Sequence, residues 1–337
     1  MAWSVETCAD RVLAGDRLAR EDALALLAGA EHDPWPLLHA ADRVRRHFRG
    51  RTVYLCSIAA VKLGCCGEDC RWCAQSARWP TGLQPHGLPA ADELLRSALN
   101  AAAAGAGHFG LVSSGARLSD AELDAMIAAA GTIRTRTGLK LCGSFGALAP
   151  ERARRLAGAG FVRYNHNLET SARFFTQVCT THTYEDRVLT ARAVLDAGME
   201  LCSGVLFGMG EADEDRADAA LALRDLGAHV VPMNFLHPIP GTPLADAPPL
   251  APLKILSIVA VFRLLLPDRI IKMAGGREKN LRDLQSLMFM AGADSAMIGN
   301  YLTTTGRPAE VDLAMIRDLG LAPAGAGEAR PCGAGDA

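Results

Sequence analysis

No stretch of this sequence stays apolar long enough to cross a bilayer. The greasiest segment, ILSIVAVF followed by Arg263 and LLLP, is short and broken by a charge, so it reads as a buried helix and no membrane span is expected. The first twenty residues mix acids and bases and lack the apolar run and small-residue cleavage site of a secretory leader, so a cytoplasmic location is expected. A basic block is missing too. With 35 Lys and Arg against 37 Asp and Glu, a formal net charge of -2, the chain offers nucleic acid no electrostatic footprint. Nor are disulfide staples required, since 337 residues that are 50% hydrophobic suffice for one large domain or two medium ones. The 10 cysteines, in a reducing compartment, therefore read as thiols or metal ligands.

What the chain does have is a repeating pattern. Residues 1–50 are helical in period and polar in balance, and are expected to form an N-terminal helical cap. From residue 51 to about 320, short apolar runs alternate with longer Ala/Leu/Arg/Glu stretches of helical period. The runs are TVYLCSI (52–58), HFGLVSS (108–114), LKLCGS (139–144), FVRYNH (161–166), ELCSGVL (200–206), HVVPMNF (229–235), RIIKMA (269–274) and SAMIGN (295–300). Between them lie helix candidates such as SDAELDAMIAAAGTIRTR and YEDRVLTARAVLDAG, several with Ser or Asp at the start and Gly at the end. Eight strand–helix units of this size predict an α/β fold, a (β/α)8 TIM-type barrel. Residues 321–337, APAGAGEARPCGAGDA and the Leu before it, are expected to be a flexible tail.

Alternate side chains on a barrel strand point inward. One set, Leu139 and Leu141, Met199 and Leu201, Val231 and Met233, Ile271 and Met273, is apolar and should face the helices. The other holds His108, Lys140 and Cys142, Arg163, Asn165 and Asn167, Glu200 and Cys202, Asn234 and Lys272. Branched aliphatics usually fill a barrel centre. Charges, amides and thiols there predict a cavity that holds ligands, because such groups are costly to bury without partners.

Directly after the first run comes CCGEDCRWC, residues 65–73. Cys66, Cys70 and Cys73 form CxxxCxxC at the end of the barrel where catalytic loops sit. Three thiolates can hold three irons of a cubane and leave the fourth iron open to a substrate. Zinc is the plainer alternative, but a structural zinc site is closed by four ligands, and a fourth is present only if Cys65 or Cys56 turns in.

The sequence resembles the radical S-adenosylmethionine (SAM) enzymes, and among them the biotin synthase family. The likeness is carried by CCGEDCRWCAQSARW (65–79), RYNHNLETS (163–171), CTTHTYEDR (179–187), LCSGVLFGMGE (201–211), VPMNFLHPIPGTPL (231–244), AGGRE (274–278) and GNYLTTTG (299–306). It implies a 4Fe-4S cluster on Cys66, Cys70 and Cys73, with SAM on the open iron; the cluster's electron cleaves SAM to a radical that takes hydrogen from an unactivated carbon. By the same resemblance Trp72 lies beside the adenine, Arg187 pairs with the SAM carboxylate and Glu169 holds ribose hydroxyls. Asn165, Asn167 and Asn234 have the parity to face the cavity, and their amides suit the ureido ring of dethiobiotin. Each could equally satisfy a strand end. The glycines of CSG, GMGE and AGGRE permit close approach of backbone to a ligand, or are turn chemistry. An electron donor such as flavodoxin or ferredoxin, and a homodimer, are implied as partners.

The family pattern breaks in the barrel's interior. Its members commonly hold a second, 2Fe-2S cluster on three cysteines and one arginine. Cys142 and Cys202 match, whereas Gly110 stands for the third cysteine and Lys272 for the arginine. A subgroup with cysteine in the CSI segment and a variant auxiliary cluster looks similar. A ligand set of Cys56, Cys142 and Cys202, with Cys179 as a fourth and Lys272 beside them, is therefore expected, although a free cysteine is most often a buried small hydrophobe. Cys8, Cys65 and Cys332 are expected to bind nothing. The expected activity is sulfur insertion into dethiobiotin to give biotin. Two alternatives stand: a related barrel of hydrogenase-maturation or methylornithine-forming type without a sacrificial cluster, and a non-catalytic iron–sulfur or zinc protein.

Overall fold

The computed structural model describes residues 3–324. Three helices come first, α1 (Val5–Leu13), α2 (Arg20–Gly29) and α3 (Trp35–Arg49). The barrel strands follow: β1 (Thr52–Lys62), β2 (His108–Ser113), β3 (Lys140–Ser144), β4 (Phe161–Asn165), β5 (Glu200–Cys202) with its continuation β6 (Val205–Phe207), β7 (Val230–Phe235), β8 (Ile270–Met273) and β9 (Ser295–Met297). All pair in parallel, and β9 returns to β1, so the sheet closes with β5 and β6 forming one stave. This is the (β/α)8 barrel that the alternation predicts.

The apolar parity set, from Leu139 to Met273, lies in the continuous core between strands and helices. The opposite set supplies the cavity wall: Cys142, Arg163, Asn165, Cys202, Asn234 and Lys272 all line it. Helix α4 (Ala91–Ala103) follows β1 and its long loop, and α5 (Asp120–Thr137) follows β2. Ser119 caps α5 by accepting from the Glu122 amide, while Gly138 ends it at φ 67°, a left-handed turn suited to glycine. After β3 and β4 come α6 (Pro150–Gly158), α7 (Ala172–Val178) and α8 (Tyr184–Asp196), the last capped by Thr183. Helices α9 (Asp213–Leu226) and α10 (Pro252–Leu265) complete the wall that the N-terminal helices cover, α2 packing on both and α3 on α10.

Helix α10 is the greasy segment, and no helix among the described residues is long and apolar enough to cross a membrane. Its fully buried Arg263 is neutralised by Asp294, whose carboxylate also accepts from Arg49 at the end of α3. The N-terminal helices are thus tied to the barrel by both a shared core and a buried ion-pair network. At the other terminus, β10 (Ala322–Pro323) pairs in parallel with Thr52 and Val53, so the first residues of the tail expected from 321 are paired with the barrel. The pairing is made by backbone groups, which composition does not reveal. Residues 325–337, with Cys332, lie outside the described residues.

Candidate active site

The loop after β1 is wired to itself. Cys66 N donates to Gln75 O at 3.0 Å and Ala77 N returns to Cys66 O at 2.8 Å, while Cys73 N closes a turn on Cys70 O at 3.0 Å. Trp79 Nε1 donates to Cys70 O at 3.0 Å, and Ser76 Oγ to Glu68 O at 2.6 Å. The tail of the motif, QSARW, therefore ties down the carbonyls of its cysteine segment, fixing the three thiols on one short loop. Cys66 and Cys70 are buried and Cys73 is partly so. Burial is the main cause that pushes the Cys73 thiol up to about 11, with Cys66 and Glu169 adding negative charge nearby against the opposing Gln75 contact. Buried sulfurs gathered beside a carboxylate are ill-suited to being thiolates on their own, and a cationic iron centre relieves that. The donor set fits an iron–sulfur cluster.

The SAM residues named above meet this loop from β4 and α8. Trp72, Cys73, Asn167 and Glu169 all line the cavity. Glu169 holds a left-handed φ of 70°, uncommon for a non-glycine residue and of the kind that marks functional sites. Burial pushes its carboxyl up, and Arg187, 3.7 Å away, opposes that. Arg187 is buried behind Glu169: Nη1 donates to Asn167 O at 2.9 Å, Nη2 donates to His182 Nε2 at 2.9 Å, and the head lies over Phe175. Its Nε is buried without a partner, a spare donor, although Arg187 is not among the residues that line the cavity.

The asparagines are partly spoken for. Asn165 Nδ2 donates to Cys202 O at 3.1 Å and to Asn167 Oδ1 at 3.2 Å, and Gly204 N donates to the same Asn167 oxygen at 3.2 Å. Asn234 spans two strand ends, donating to Val205 O at 3.0 Å and accepting from Gly275 N at 2.9 Å. All three line the cavity, but each also does the strand-end work that was the alternative reading. Gly204 of CSG is a packing glycine, because a Cβ there would lie 1.9 Å from Pro232 O.

Deeper in, Cys56, Gly110, Cys142, Arg163, Cys202 and Lys272 line the same cavity of about 390 Å³. Lys272 Nζ is 3.6 Å from Cys202 Sγ. Burial would lower the Lys272 ammonium, yet the nearby Cys202 and Cys56 outweigh it and the net shift is upward. Burial likewise raises the Cys142 thiol to about 12, moderated by Arg163. Arg163, in register with Cys142 and paired with Glu200 at 2.8 Å, is a cation of this chamber that no role was read for; its inward parity was the available signal. Tyr301, Leu302, Thr303 and Thr304 also line the mouth, from a motif quoted only for its likeness.

One expected ligand is elsewhere. Cys179, at the end of α7, faces the cysteine loop with its Sγ 3.8 Å from Cys70 Sγ, not the deep chamber. Asp69 draws it there by accepting from the amides of Thr180 (2.9 Å) and Thr181 (3.2 Å), whereas Cys56, Cys142 and Cys202 all line the cavity. Cys8 is buried in the core and Cys65 is exposed.

A parallel barrel with three cysteines after its first strand and a polar interior defines the class of radical SAM enzymes. The superfamily model "Radical SAM superfamily" matches residues 61–223, and "Biotin and Thiamin Synthesis associated domain" matches residues 232–322. The chain belongs to the biotin synthase family. It is 50% identical over 310 residues to the biotin synthase of Heliobacterium modesticaldum, covering 92% of this chain and 95% of that one. With the biotin synthase of Geobacter metallireducens it shares 47% over 326 residues, 96% and 99% of the two chains. Among solved structures, methylornithine synthase (PylB) superposes with a TM-score of 0.81 at 21% identity, covering 94% of this chain and 97% of that one. The hydrogenase maturase HydG from Carboxydothermus hydrogenoformans gives 0.80 at 17%, covering 95% and 79%; these two likenesses speak for the fold alone. The family carries with it a 4Fe-4S cluster used with SAM.

Proposed function

We propose that the chain inserts sulfur between C6 and C9 of dethiobiotin to give biotin, using two SAM molecules because two C–H bonds break. The observation that supports this reading is one cavity lined by residues of both cysteine groups, Trp72 and Cys73 of the loop and Cys142 and Cys202 of the strands, and by the three asparagines. A substrate in the middle would have hydrogen abstraction on one side and a sulfur source on the other.

When bound, the cluster on Cys66, Cys70 and Cys73 supplies the electron that cleaves SAM. The chain's own residues place the reactants. Arg187 offers its unpartnered Nε to the SAM carboxylate, Glu169 accepts from ribose hydroxyls and Trp72 lies against the adenine. Asn165, Asn167 and Asn234 present what remains of their hydrogen-bonding capacity to the ureido ring. Cys56, Cys142 and Cys202 would hold a second iron–sulfur cluster, of 2Fe-2S or variant type, with Lys272 and Arg163 balancing its charge. An external one-electron donor of flavodoxin or ferredoxin type and a homodimeric state belong to the same reading.

Gly110 and Lys272 favour one rival, a barrel that cleaves SAM without a sacrificial cluster. Anaerobically reconstituted, reduced protein incubated with SAM and dethiobiotin separates them. Biotin together with 5′-deoxyadenosine is expected; 5′-deoxyadenosine alone, with iron and sulfide for one cluster, would give the rival the field.

A further inference from the structure

Cys179 and His182 have no part in the reaction described, yet they are among the most tightly organised polar groups at the mouth. Cys179 Sγ lies 3.8 Å from Cys70 Sγ and beside the His182 ring, 3.3 Å from Nδ1 and 3.7 Å from Nε2. These three donors all fall within 4.8 Å of one another. Tetrahedral zinc with Zn–S of about 2.3 Å requires S···S near 3.8 Å, the separation found here, and the His182 ring, which lies with both nitrogens beside the sulfur, would turn to aim Nε2 at the ion. Sulfurs so close suit one ion, whereas sulfurs on separate irons of a cubane stand farther apart. The other ring nitrogen, Nδ1, is 2.7 Å from Glu68 Oε2, the carboxylate support that metal-bound imidazoles commonly have.

We propose that Cys70, Cys179 and His182 form a mononuclear site for one divalent transition ion of zinc type in the cluster-free chain, and that this ion competes with the 4Fe-4S cluster for Cys70. Two thiolates and an imidazole select zinc or ferrous iron over magnesium or calcium. Asp69 Oδ1 is 3.3 Å from Cys179 Sγ but is engaged by the amides of Thr180 and Thr181, so the fourth position falls to water. Three protein ligands and a water make a site that exchanges its ion, as a holding site must. Loading also requires Arg187 Nη2 to leave His182 Nε2, and Glu169, 3.7 Å from the guanidinium, is there to receive it. The ion would thus keep the cysteine loop folded against α7 until iron and sulfide arrive. The competition rests on Cys70 being a cluster ligand; the ion site itself does not.

The test uses the full chain, stripped of iron under anaerobic conditions and titrated with Co2+ as a spectroscopic probe. One Co2+ is expected, with tetrahedral visible bands and a thiolate charge-transfer band. Cys179→Ser and His182→Gln should each weaken binding by about 10–100-fold, while Cys66→Ser leaves it unchanged. Equal weakening by Cys66→Ser, or wild-type binding by Cys179→Ser, overturns the site. Zinc-edge absorption on the loaded wild type needs no variant: two sulfurs and one imidazole nitrogen are expected, and three sulfurs overturn the assignment. For the competition, one equivalent of Zn2+ should slow iron and sulfide uptake in the wild type and not in Cys179→Ser; equal slowing in both overturns it. A Cys70→Ser chain that still builds the 4Fe-4S cluster would instead sink the cluster reading, and with it the competition, leaving the ion site to the cobalt titration.

Discussion

The mouth and the deep chamber of the barrel are built in opposite ways. At the mouth, Cys66, Cys70, Cys73 and Trp72 come from one loop, and hydrogen bonds between residues 66 and 79 hold it. The chamber takes Cys56, Cys142, Arg163, Cys202 and Lys272 from β1, β3, β4, β5 and β8, and closure of the sheet alone brings them together. A local site fails or survives as a unit. A distributed one can change member by member, and the chamber is where Gly110 and Lys272 differ from the cysteine and arginine that the resemblance implies.

The sharpest way to break the comparison is to remove one thiol from each region. Cys73→Ala should lose the 4Fe-4S cluster and drop SAM cleavage to background, taking biotin formation with it. Cys142→Ser should lose biotin formation while 5′-deoxyadenosine continues to appear. Iron and sulfide content, with both products measured, checks the pair; loss of SAM cleavage in Cys142→Ser would mean that the two regions are one functional unit.

The next effect is smaller. Arg187→Gln keeps a hydrogen-bonding group but loses the charge, and a charge-assisted hydrogen bond contributes about 1.5–3 kcal/mol. SAM affinity, read from the change in the cluster's spectrum, should fall about 10–100-fold. No change would mean that Arg187 only braces the cysteine loop through His182, to which it donates at 2.9 Å.

Legibility in the sequence follows the same division. CxxxCxxC needs no knowledge of the fold, so the mouth is readable from residue spacing. The chamber is readable only through strand parity, which places Cys142, Cys202 and Lys272 on one wall because alternate residues must share a face. Parity says nothing off a strand, and there the reading went astray: Cys179 belongs to a turn whose direction is set by Asp69, far away in sequence. Asn234 shows a second limit, since facing a cavity and bridging Val205 to Gly275 look alike in sequence. Arg163 was placed inward without a role, because its partner Glu200 and its neighbour Cys142 appear only once strands are in register.

Substitution at Gly110 probes how much the chamber tolerates. A Cβ there would stand 3.0 Å from Ile58 Cγ2, closer than ordinary contact. Ile58 itself lines the cavity and has room to yield, so Gly110→Cys, which supplies the cysteine that the resemblance implies there, should cost only about 1 kcal/mol. That is a fall in Tm of roughly 1–2 °C, measured calorimetrically on cluster-free protein. A much larger fall would show the chamber to be as tightly specified as the mouth.

The smallest effect concerns the mouth's outer edge. Lys62, the last residue of β1, meets Glu122 of α5 at 2.7 Å just before the cysteine loop begins. That contact and the Ser119 amide hold the Glu122 carboxyl down at about 2, below its ordinary 4.5. A carboxyl depressed by folding contributes stability that is fully present above 4.5 and fades as pH falls toward 2, because the unfolded chain then binds the proton first. The pair lies near the surface and is screened by solvent, so Glu122→Gln should cost only about 0.5 kcal/mol at neutral pH. Urea unfolding of wild type and variant at neutral pH and at pH about 3 checks the sign: the gap between their midpoints must narrow in acid. A gap that widened would assign the loss to the α5 cap geometry, leaving the mouth held by its own loop alone.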